Sequence, residues 1–306
     1  MKKYLQRRDF IKTSATLMAM AVAGSSFDVT KKAPLLSFST LGCPDWSFDA
    51  IIDFAVANNY QGLELRGIQR ELDLVKCKEF NSRENTLATR KKLDEKKLQV
   101  VDLGSSAAMH HADKAERQKN LDEGKRFIDL AQQLNCPYIR VFPNDLPKDQ
   151  DRNATIDLII SGLRQLGDYA NGSNVTVLME SHGELVHKAD LQKIMQQAEH
   201  EHVGMVWDIV NMWNITKEPP AGVYEDLKKY IHHTHIKDLK MVNGKEQYVL
   251  LGKGETPIFE AIDILYNNGY KGFYSFEWEK LWHPEIDEPE IALADYPTAM
   301  KAHFEK

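Results

Sequence analysis

The 306-residue sequence has few cysteines and no excess of positive charge, and both shortages narrow the classes of protein it can belong to. Its three cysteines, Cys43, Cys77 and Cys136, are odd in number and widely spaced. They therefore give neither a disulfide framework nor the paired spacing of a zinc ribbon. Lys and Arg number 39 against 45 Asp and Glu, a formal net charge of −6. An acidic surface repels phosphate backbones, which argues against nucleic acid as a partner.

Long apolar runs are also lacking, since the apolar stretch from Ala15 to Ala23 is too short to span a bilayer. This stretch follows a basic start and ends in small residues, a pattern typical of a cleaved export signal. The preceding run RRDFIK (7–12) resembles the twin-arginine export motif. We expect residues 1–32 to be an export signal and linker, and the mature protein to be periplasmic without stable membrane insertion. Cleavage after Ala23 would leave 34 basic and 44 acidic residues, a net charge of −10.

Residues 33–306 alternate short apolar runs with longer amphipathic ones, and they contain no low-complexity segment or obvious linker. The short runs are rich in Val, Ile, Leu and aromatic residues with little polar alternation, which is typical of parallel strands buried on both faces. The eight runs are 35–42, 62–66, 98–104, 138–142, 175–180, 204–210, 231–236 and 272–277. Helical patterns between them, the first beginning at a Ser47 cap, complete eight strand–helix units. We predict a single (β/α)8 TIM barrel, which typically needs roughly 250 residues, with an open doubly wound sheet as the alternative.

Four polar residues come at or near the ends of the last four predicted strands of this barrel. They are Glu180, Asp208, His235 and Glu277. Active sites of TIM barrels lie at the carboxyl ends of the strands. Carboxylates gathered there repel one another unless a cation neutralises them. Three oxygen ligands and one imidazole suit a divalent metal, with Mn²⁺ as the first expectation and Co²⁺ or Mg²⁺ as alternatives.

Five short motifs carry a resemblance to a known family: LMESHG, WDIVN, HTHIKD, LGKGE and YSFEWE. From Leu35 to Phe304 the chain resembles the xylose-isomerase-like TIM-barrel superfamily, the sugar phosphate isomerase/epimerase group. The resemblance implies that one divalent metal is bound by the four strand-end residues above. It further implies that His182 contacts the substrate and that Lys237 steadies an oxyanion. The GKG of the fourth motif is too short to indicate phosphate binding by itself.

Further polar residues are predicted at the same rim. They are Glu64 and Arg66 after strand two, His110 and His111 after strand three, and Arg140 and Asn144 around the end of strand four. Each has a surface or core role as its alternative, and we predict substrate contacts for Glu64 and Arg140 among them, and for Asn211 and Trp46. Trp46 and Trp278 offer faces on which a sugar ring could stack, with core packing as the alternative for Trp46. Asn211 occupies the place of a substrate-contacting His in several ketose epimerases. That departure weakens a free-ketose 3-epimerase interpretation and leaves the metal site unaffected.

The chemistry that the resemblance implies is proton removal from a carbon beside a carbonyl, with Glu180 and Glu277 as base and acid. We predict an isomerase or epimerase that acts on a sugar or keto-sugar through an enediolate. A lyase or hydratase acting on a keto-sugar or polyol is the alternative, because the same intermediate serves both. A non-catalytic sugar-binding barrel is a third reading, and the acidic charge argues against an apurinic endonuclease of the same superfamily. The expected partner is a small carbohydrate, and the sequence leaves the oligomeric state open.

The export signal gives the first testable prediction. Changing both Arg7 and Arg8 to Lys should trap the precursor in the cytoplasm, because a twin-arginine translocase recognises the arginine pair. Fractionation and immunoblotting of the wild type and the double variant measure this directly. An unchanged periplasmic yield would exclude this export route.

Overall fold

A computed structural model describes residues 33–305, which form a closed barrel of eight parallel strands. Ten strands lie within residues 33–305, and eight of them form the barrel. In chain order they are β1 (Leu35–Ser39), β2 (Gly62–Leu65), β3 (Gln99–Ala108), β4 (Tyr138–Phe142), β5 (Thr176–Glu180), β6 (Val203–Asp208), β7 (Ile231–Ile236), β8 (Asp238–Val242), β9 (Lys245–Val249) and β10 (Phe273–Phe276). Around the barrel the order is β1, β10, β7, β6, β5, β4, β3 and β2, whereas β8 and β9 form a separate antiparallel pair. The predicted TIM-barrel fold is confirmed, and the open-sheet alternative is excluded by closure.

Nine α-helices within residues 33–305 follow the strands. They are α1 (Phe48–Ala57), α2 (Arg83–Glu95), α3 (Lys114–Leu134), α4 (Arg152–Ala170), α5 (Lys188–Gln197), α6 (Ile209–Thr216), α7 (Pro220–Leu227), α8 (Ile258–Asn267) and α9 (Pro289–Phe304). The Ser47 side chain caps α1 as predicted, accepting from the Ala50 amide at 3.3 Å. None of these helices combines the length and the apolar content that crossing a membrane requires. The predicted export signal lies outside the described residues.

All eight predicted strand runs are barrel strands, and the main errors are at their ends. The run 204–210 was predicted two residues too long, because β6 ends at Asp208 and α6 begins immediately after it. Asp208 is the N-cap of α6, and its Oδ1 accepts from the Asn211 amide at 2.8 Å. By contrast, the run 98–104 was predicted too short at its end, because β3 continues four residues beyond residue 104.

The sequence predicts an extended loop over residues 238–257, after strand seven, but the structure has a β-hairpin of β8 and β9 there. Its turn is Asn243-Gly244, both with positive φ, as a tight hairpin turn requires. Asp238, at the start of β8, accepts from the backbone amides of Leu239, Gly252 and Gly254, each at 2.9 Å. The glycine amides of the GKG segment are therefore used to hold the hairpin against its following loop.

The inside of the barrel is unusually polar for this fold. TIM-barrel interiors are typically filled by branched apolar side chains. Here Glu64 of β2 contacts His233 and His235 of β7, although β1 and β10 separate these two strands around the barrel. Such contacts can only be made across the interior. Polar side chains are thus held in the barrel axis, directly under the carboxyl ends of the strands.

The Asp238 contacts predict that Gly254 tolerates no larger side chain. A Cβ there would overlap the Asp238 carboxylate and the Leu239 carbonyl oxygen. We expect Gly254→Ala to lower the free energy of unfolding by about 1–3 kcal/mol, as overpacking does. Gly222→Ala in α7 is the control, because its Cβ would meet only the Lys188 Nζ at 3.5 Å. Chemical denaturation of both variants measures the difference, and equal stabilities would show that the hairpin contact is not tight.

Candidate functional site

Four side chains at the carboxyl end of the barrel form a buried group that could hold a metal ion. They are Glu180, Asp208, His235 and Glu277, each with a ligand atom within 4.8 Å of the others. His235 Nδ1 lies 3.3 Å from Glu180 Oε1, 3.3 Å from Glu277 Oε1 and 3.8 Å from Asp208 Oδ2. The structure therefore brings together the four residues that the sequence placed at neighbouring strand ends.

The strands themselves position these ligands. Glu180 and Asp208 are the last residues of β5 and β6, His235 is the penultimate residue of β7, and Glu277 follows β10. These four strands are consecutive around the barrel, so the two glutamates flank Asp208 and His235. Because Asp208 Oδ1 caps α6, its other oxygen is left to face the group.

The donor set fits a divalent cation. Neither ring nitrogen of His235 makes a well-aligned hydrogen bond with the described residues, and neither does Asp208 Oδ2 or Glu180 Oε2. Buried polar atoms without such partners are rare in native proteins and call for an ion, a water or a functional role. Three carboxylates and one imidazole are a suitable ligand set for Mn²⁺, Mg²⁺ or Zn²⁺.

Lys237 joins the carboxylates on one side of this group. Its Nζ lies 2.6 Å from Glu277 Oε2, 2.5 Å from Glu279 Oε1 and 2.8 Å from Asp208 Oδ2. Glu277 and Glu279 face the same side, as the period of two along a strand predicts. Contact with these acids outweighs burial and raises the pKa of Lys237 well above its usual range. Lys237 is therefore a fixed positive charge rather than a base.

Arg140 plays the corresponding part on the other side. Its Nε lies 3.0 Å from Glu180 Oε2, close enough for an ion pair but not aligned as a hydrogen bond. Its Nη1 donates to the Ser105 carbonyl oxygen at 2.7 Å, and its guanidinium lies 3.8 Å from the centre of the Phe142 ring. The outer oxygens of Glu180 and Glu277 thus face different cations, a guanidinium and an ammonium.

The pKa shifts show how negative the centre of the site is. Burial alone would lower the pKa of His235, but Glu277, Glu64 and Glu180 raise it well above its ordinary value. Burial raises the pKa of Glu180 and Glu277, and attraction to His235 reverses this, so both carboxyls titrate below their usual range. Both glutamates are therefore ionised at neutral pH, in a place that attracts positive charge.

Glu64 lies beneath His235 and is fully buried. Its Oε2 lies 3.2 Å from His235 Nε2 and 3.0 Å from His233 Nε2, and it accepts from Ser275 Oγ at 2.9 Å. Glu64, His233 and His235 form a second close group of potential ligands. Because Glu64 is joined to His233 by a hydrogen bond and contacts the far nitrogen of His235, we interpret this group as the support that orients His235 Nδ1.

Above the ligands lies a cavity of about 200 Å³, below the roughly 300–1,000 Å³ of pockets for drug-sized ligands. It is lined by Leu41, Arg66, Arg140, Phe142, Glu180, His182, Lys237, Glu277, Glu279 and Trp282. The lining thus includes the predicted substrate contacts His182, Lys237 and Arg140, and also Arg66 from the same predicted rim. His182 Nδ1 lies 3.1 Å from Asn144 Oδ1, which fixes the ring at the cavity wall.

The other predicted substrate contacts lie away from the cavity lining. Glu64 is fully buried beneath the four candidate ligands and does not line the cavity. Asn211 lies in the first turn of α6 and is engaged through its backbone amide. Trp46 packs on Phe54 with ring centres 4.9 Å apart, and Trp278 is fully buried and donates to the Asp287 carbonyl oxygen. These two tryptophans are packing residues in the structure.

Sequence reasoning missed the apolar wall of the cavity and the buried network below it. Trp282 is 52% exposed and lines the cavity, so its ring, rather than that of Trp46 or Trp278, is available to a molecule in the cavity. The only signal in the sequence was its position five residues after Glu277. Asp102, next to Glu64 in the barrel register, is also fully buried, and burial followed by repulsion from Glu64 raises its pKa to about 7. An acidic residue inside a predicted buried strand was the signal there.

The sequence of residues 52–296 matches the family described as Xylose isomerase-like TIM barrel. The chain belongs to this family. The match covers most of the barrel and includes all four candidate ligands. It confirms the family that the motifs suggested, and with it the fold that they implied.

One protein of named activity and several solved structures are similar to the chain. A 3-dehydroshikimate dehydratase from Bacillus anthracis is 21% identical over 226 residues, which is 71% of this chain and 78% of that protein. The crystal structure of a 3-keto-D-glucoside 4-epimerase from E. coli has a TM-score of 0.70 at 16% identity, covering 89% of this chain and 100% of that one. The structure of the IOLI protein with a binding zinc atom has a TM-score of 0.73 at 14% identity, covering 88% and 97%. At these identities the solved structures establish the fold alone.

The position of Glu64 predicts that it controls metal affinity without touching the metal. We expect Glu64→Gln to weaken Mn²⁺ binding about 10–100-fold, the usual cost of losing a carboxylate behind a ligating histidine. Titration with Mn²⁺ measures the affinity, and circular dichroism checks the fold.

The control for this prediction is Glu199→Gln, since Glu199 is an exposed partner of Lys229 and lies before the amino end of β6, whereas the ligands lie at the carboxyl ends of the strands. The control should bind Mn²⁺ like the wild type. A folded Glu64→Gln variant with unchanged affinity would show that Glu64 does not orient His235.

Proposed function

We propose that the protein is a divalent-metal-dependent isomerase or epimerase that acts on a sugar or keto-sugar through an enediolate. Its ligands are Glu180, Asp208, His235 and Glu277, and Glu180 and Glu277 also carry the proton transfers. Family membership, the buried ligand set and the similarity to an epimerase structure support the proposal.

The observation that carries the proposal is the placement of two ionised glutamates on either side of His235 and Asp208. Glu180 Oε1 and Glu277 Oε1 are each 3.3 Å from His235 Nδ1, one on β5 and the other after β10. Moving a proton from one face of a carbon to the other requires a base and an acid on opposite sides. This arrangement places one carboxylate on each side of a single point, so that one can act as the base and the other, once it is protonated, as the acid.

A divalent cation held by these residues would supply Lewis-acid polarisation of a substrate carbonyl and its adjacent hydroxyl. One of the ionised glutamates would take the proton from the carbon beside the carbonyl. The other glutamate would act as the acid after it has taken up a proton from the solvent, and it would return that proton to the opposite face in an epimerase or to the neighbouring carbon in an isomerase. Lys237 and Arg140 hold the outer glutamate oxygens in place, and Lys237 lines the cavity where an oxyanion would develop.

Mn²⁺ is the cation that we propose, with Co²⁺ and Mg²⁺ as alternatives. The compact set of three oxygens and one nitrogen disfavours Ca²⁺, which takes six to eight oxygen ligands. We also propose that the protein is exported to the periplasm, and the support for this is the arginine-pair motif and the apolar stretch after it.

A dehydratase is the second candidate, and two observations favour it. The curated relative at 21% identity is a dehydratase. His182 lines the cavity and provides a proton-carrying group besides the two glutamates. In a dehydratase the same enediolate would expel a β-hydroxyl, and His182 would donate the proton to that leaving group.

The proposal predicts that Glu180→Gln and Glu277→Gln each lower turnover by at least about 10²–10⁴-fold at saturating Mn²⁺, because Gln keeps an oxygen ligand but cannot accept the proton. A panel of keto-sugars is incubated in D₂O and followed by NMR. The wild type should place deuterium on the carbon beside the carbonyl, and chelation should abolish this.

The exposed Glu201→Gln is the matched control and should react like the wild type, since this side chain is 78% exposed. Full activity in chelator, or with both Gln variants at saturating Mn²⁺, would contradict the proposed roles. A product that has lost a hydroxyl group of the substrate, rather than one with an inverted carbon or a shifted carbonyl, would indicate a dehydratase instead.

A further inference from the structure

We infer that the substrate of this site carries a carboxylate, and that Arg66 binds it. The inference rests on the proposed function, since it places the substrate in the same cavity. Arg66 follows β2, lines the cavity and is only 5% exposed. Nothing in the proposed proton transfers uses it.

Arg66 differs from the other two cationic side chains of the cavity in making no direct ion pair with an acid among residues 33–305, and Glu123, Glu180 and Glu277 attract it only from farther away. Lys237 contacts three carboxylates and Arg140 contacts Glu180. The guanidinium of Arg66 makes one side-chain hydrogen bond, from Nη2 to Ser106 Oγ at 3.1 Å, and its Nη1 makes none. Burying a guanidinium without a counter-ion is costly, so a ligand that supplies a negative charge would remove the cost.

The local packing places Arg66 beside Arg140 rather than away from it. A Cβ on Gly104 would lie 2.7 Å from Arg66 Cδ and 3.0 Å from Arg140 Nη2, so both side chains cross the same glycine. Burial first, and repulsion from Arg140 second, lower the pKa of Arg66 to about 9, which leaves it charged at neutral pH. Two neighbouring guanidinium groups of which only one is paired form an anion site.

The charge balance of the metal-loaded cavity is positive. His235 is neutral when it binds a metal, so Glu180, Asp208, Glu277 and Glu279 stand against Arg66, Arg140 and Lys237, an excess of one negative charge before the cation is counted. Two positive charges turn this into an excess of one positive charge, which a monoanionic substrate would neutralise. A carboxylate suits the small cavity better than a phosphate and matches the planar fork of a guanidinium.

Calorimetric titration of the Mn²⁺-loaded full-length protein tests this without any need for turnover. Three matched pairs are used: D-glucuronate and D-glucose, D-galacturonate and D-galactose, and D-gluconate and D-glucitol. We expect at least one acid to bind about 10-fold or more tightly than its neutral partner, and Arg66→Met to lose that preference while it keeps its Mn²⁺ affinity. Arg66→Lys should restore part of it, and the exposed Arg83→Met should behave like the wild type.

Three outcomes would overturn the inference. Equal affinities within all three pairs would show that no carboxylate is recognised. A preference that survives in Arg66→Met would mean that the cation, not Arg66, binds the carboxylate. Tighter binding of D-glucose 6-phosphate than of every acid would assign a phosphate instead. Deuterium exchange measured separately on Arg66→Met distinguishes failure of this inference from failure of the proposed proton transfers.

Discussion

The concentration of negative charge at the carboxyl end of the barrel is the constraint on which the rest of the structure depends. Asp208, Glu277 and Glu279 would repel one another in a buried place, and the Nζ of Lys237 within 2.8 Å of all three reduces that repulsion. Arg140 does the same for Glu180. The cations therefore preserve the shape of the ligand set, and they also determine which oxygens remain free to meet a metal or a substrate.

Below the ligand group, polar side chains take the place of much of the apolar packing that usually fills a barrel interior. Glu64 and His233 occupy the axis where branched side chains normally pack, so cohesion must come from the outer faces of the strands and the helices around them. The large aliphatic and aromatic core that includes Ile51, Leu163 and Tyr296 provides it. Apolar side chains therefore pack outside the barrel strands, and the polar groups of the site lie inside them.

The fold could be predicted from sequence because doubly buried strands are continuous apolar runs, and eight of them recur at the right spacing. Among the helices, α2 has a weak pattern in the sequence, because its buried face consists of Thr86, Thr89 and Leu93, which gives little apolar periodicity. At the site, strand-end positions were enough to gather the four candidate ligands. Strand-end positions could not show that Glu64 lies one layer below the cavity, because depth in a barrel depends on the register of the strands. They also could not show that Trp282 rather than Trp46 lines the cavity, because the path of a loop depends on tertiary packing.

The capping of α6 by Asp208 also bears on how firmly a cation would be held. The amino end of a helix carries a partial positive charge. In α6 this charge interacts with the Asp208 carboxylate, which also faces the ligand group. Asp208 would thus be a ligand whose negative charge is already partly neutralised. Because the helix fixes the orientation of the Asp208 carboxylate, the coordination geometry would be rigid. Because the attraction between this carboxylate and the cation is reduced, the ion would exchange faster with the solvent.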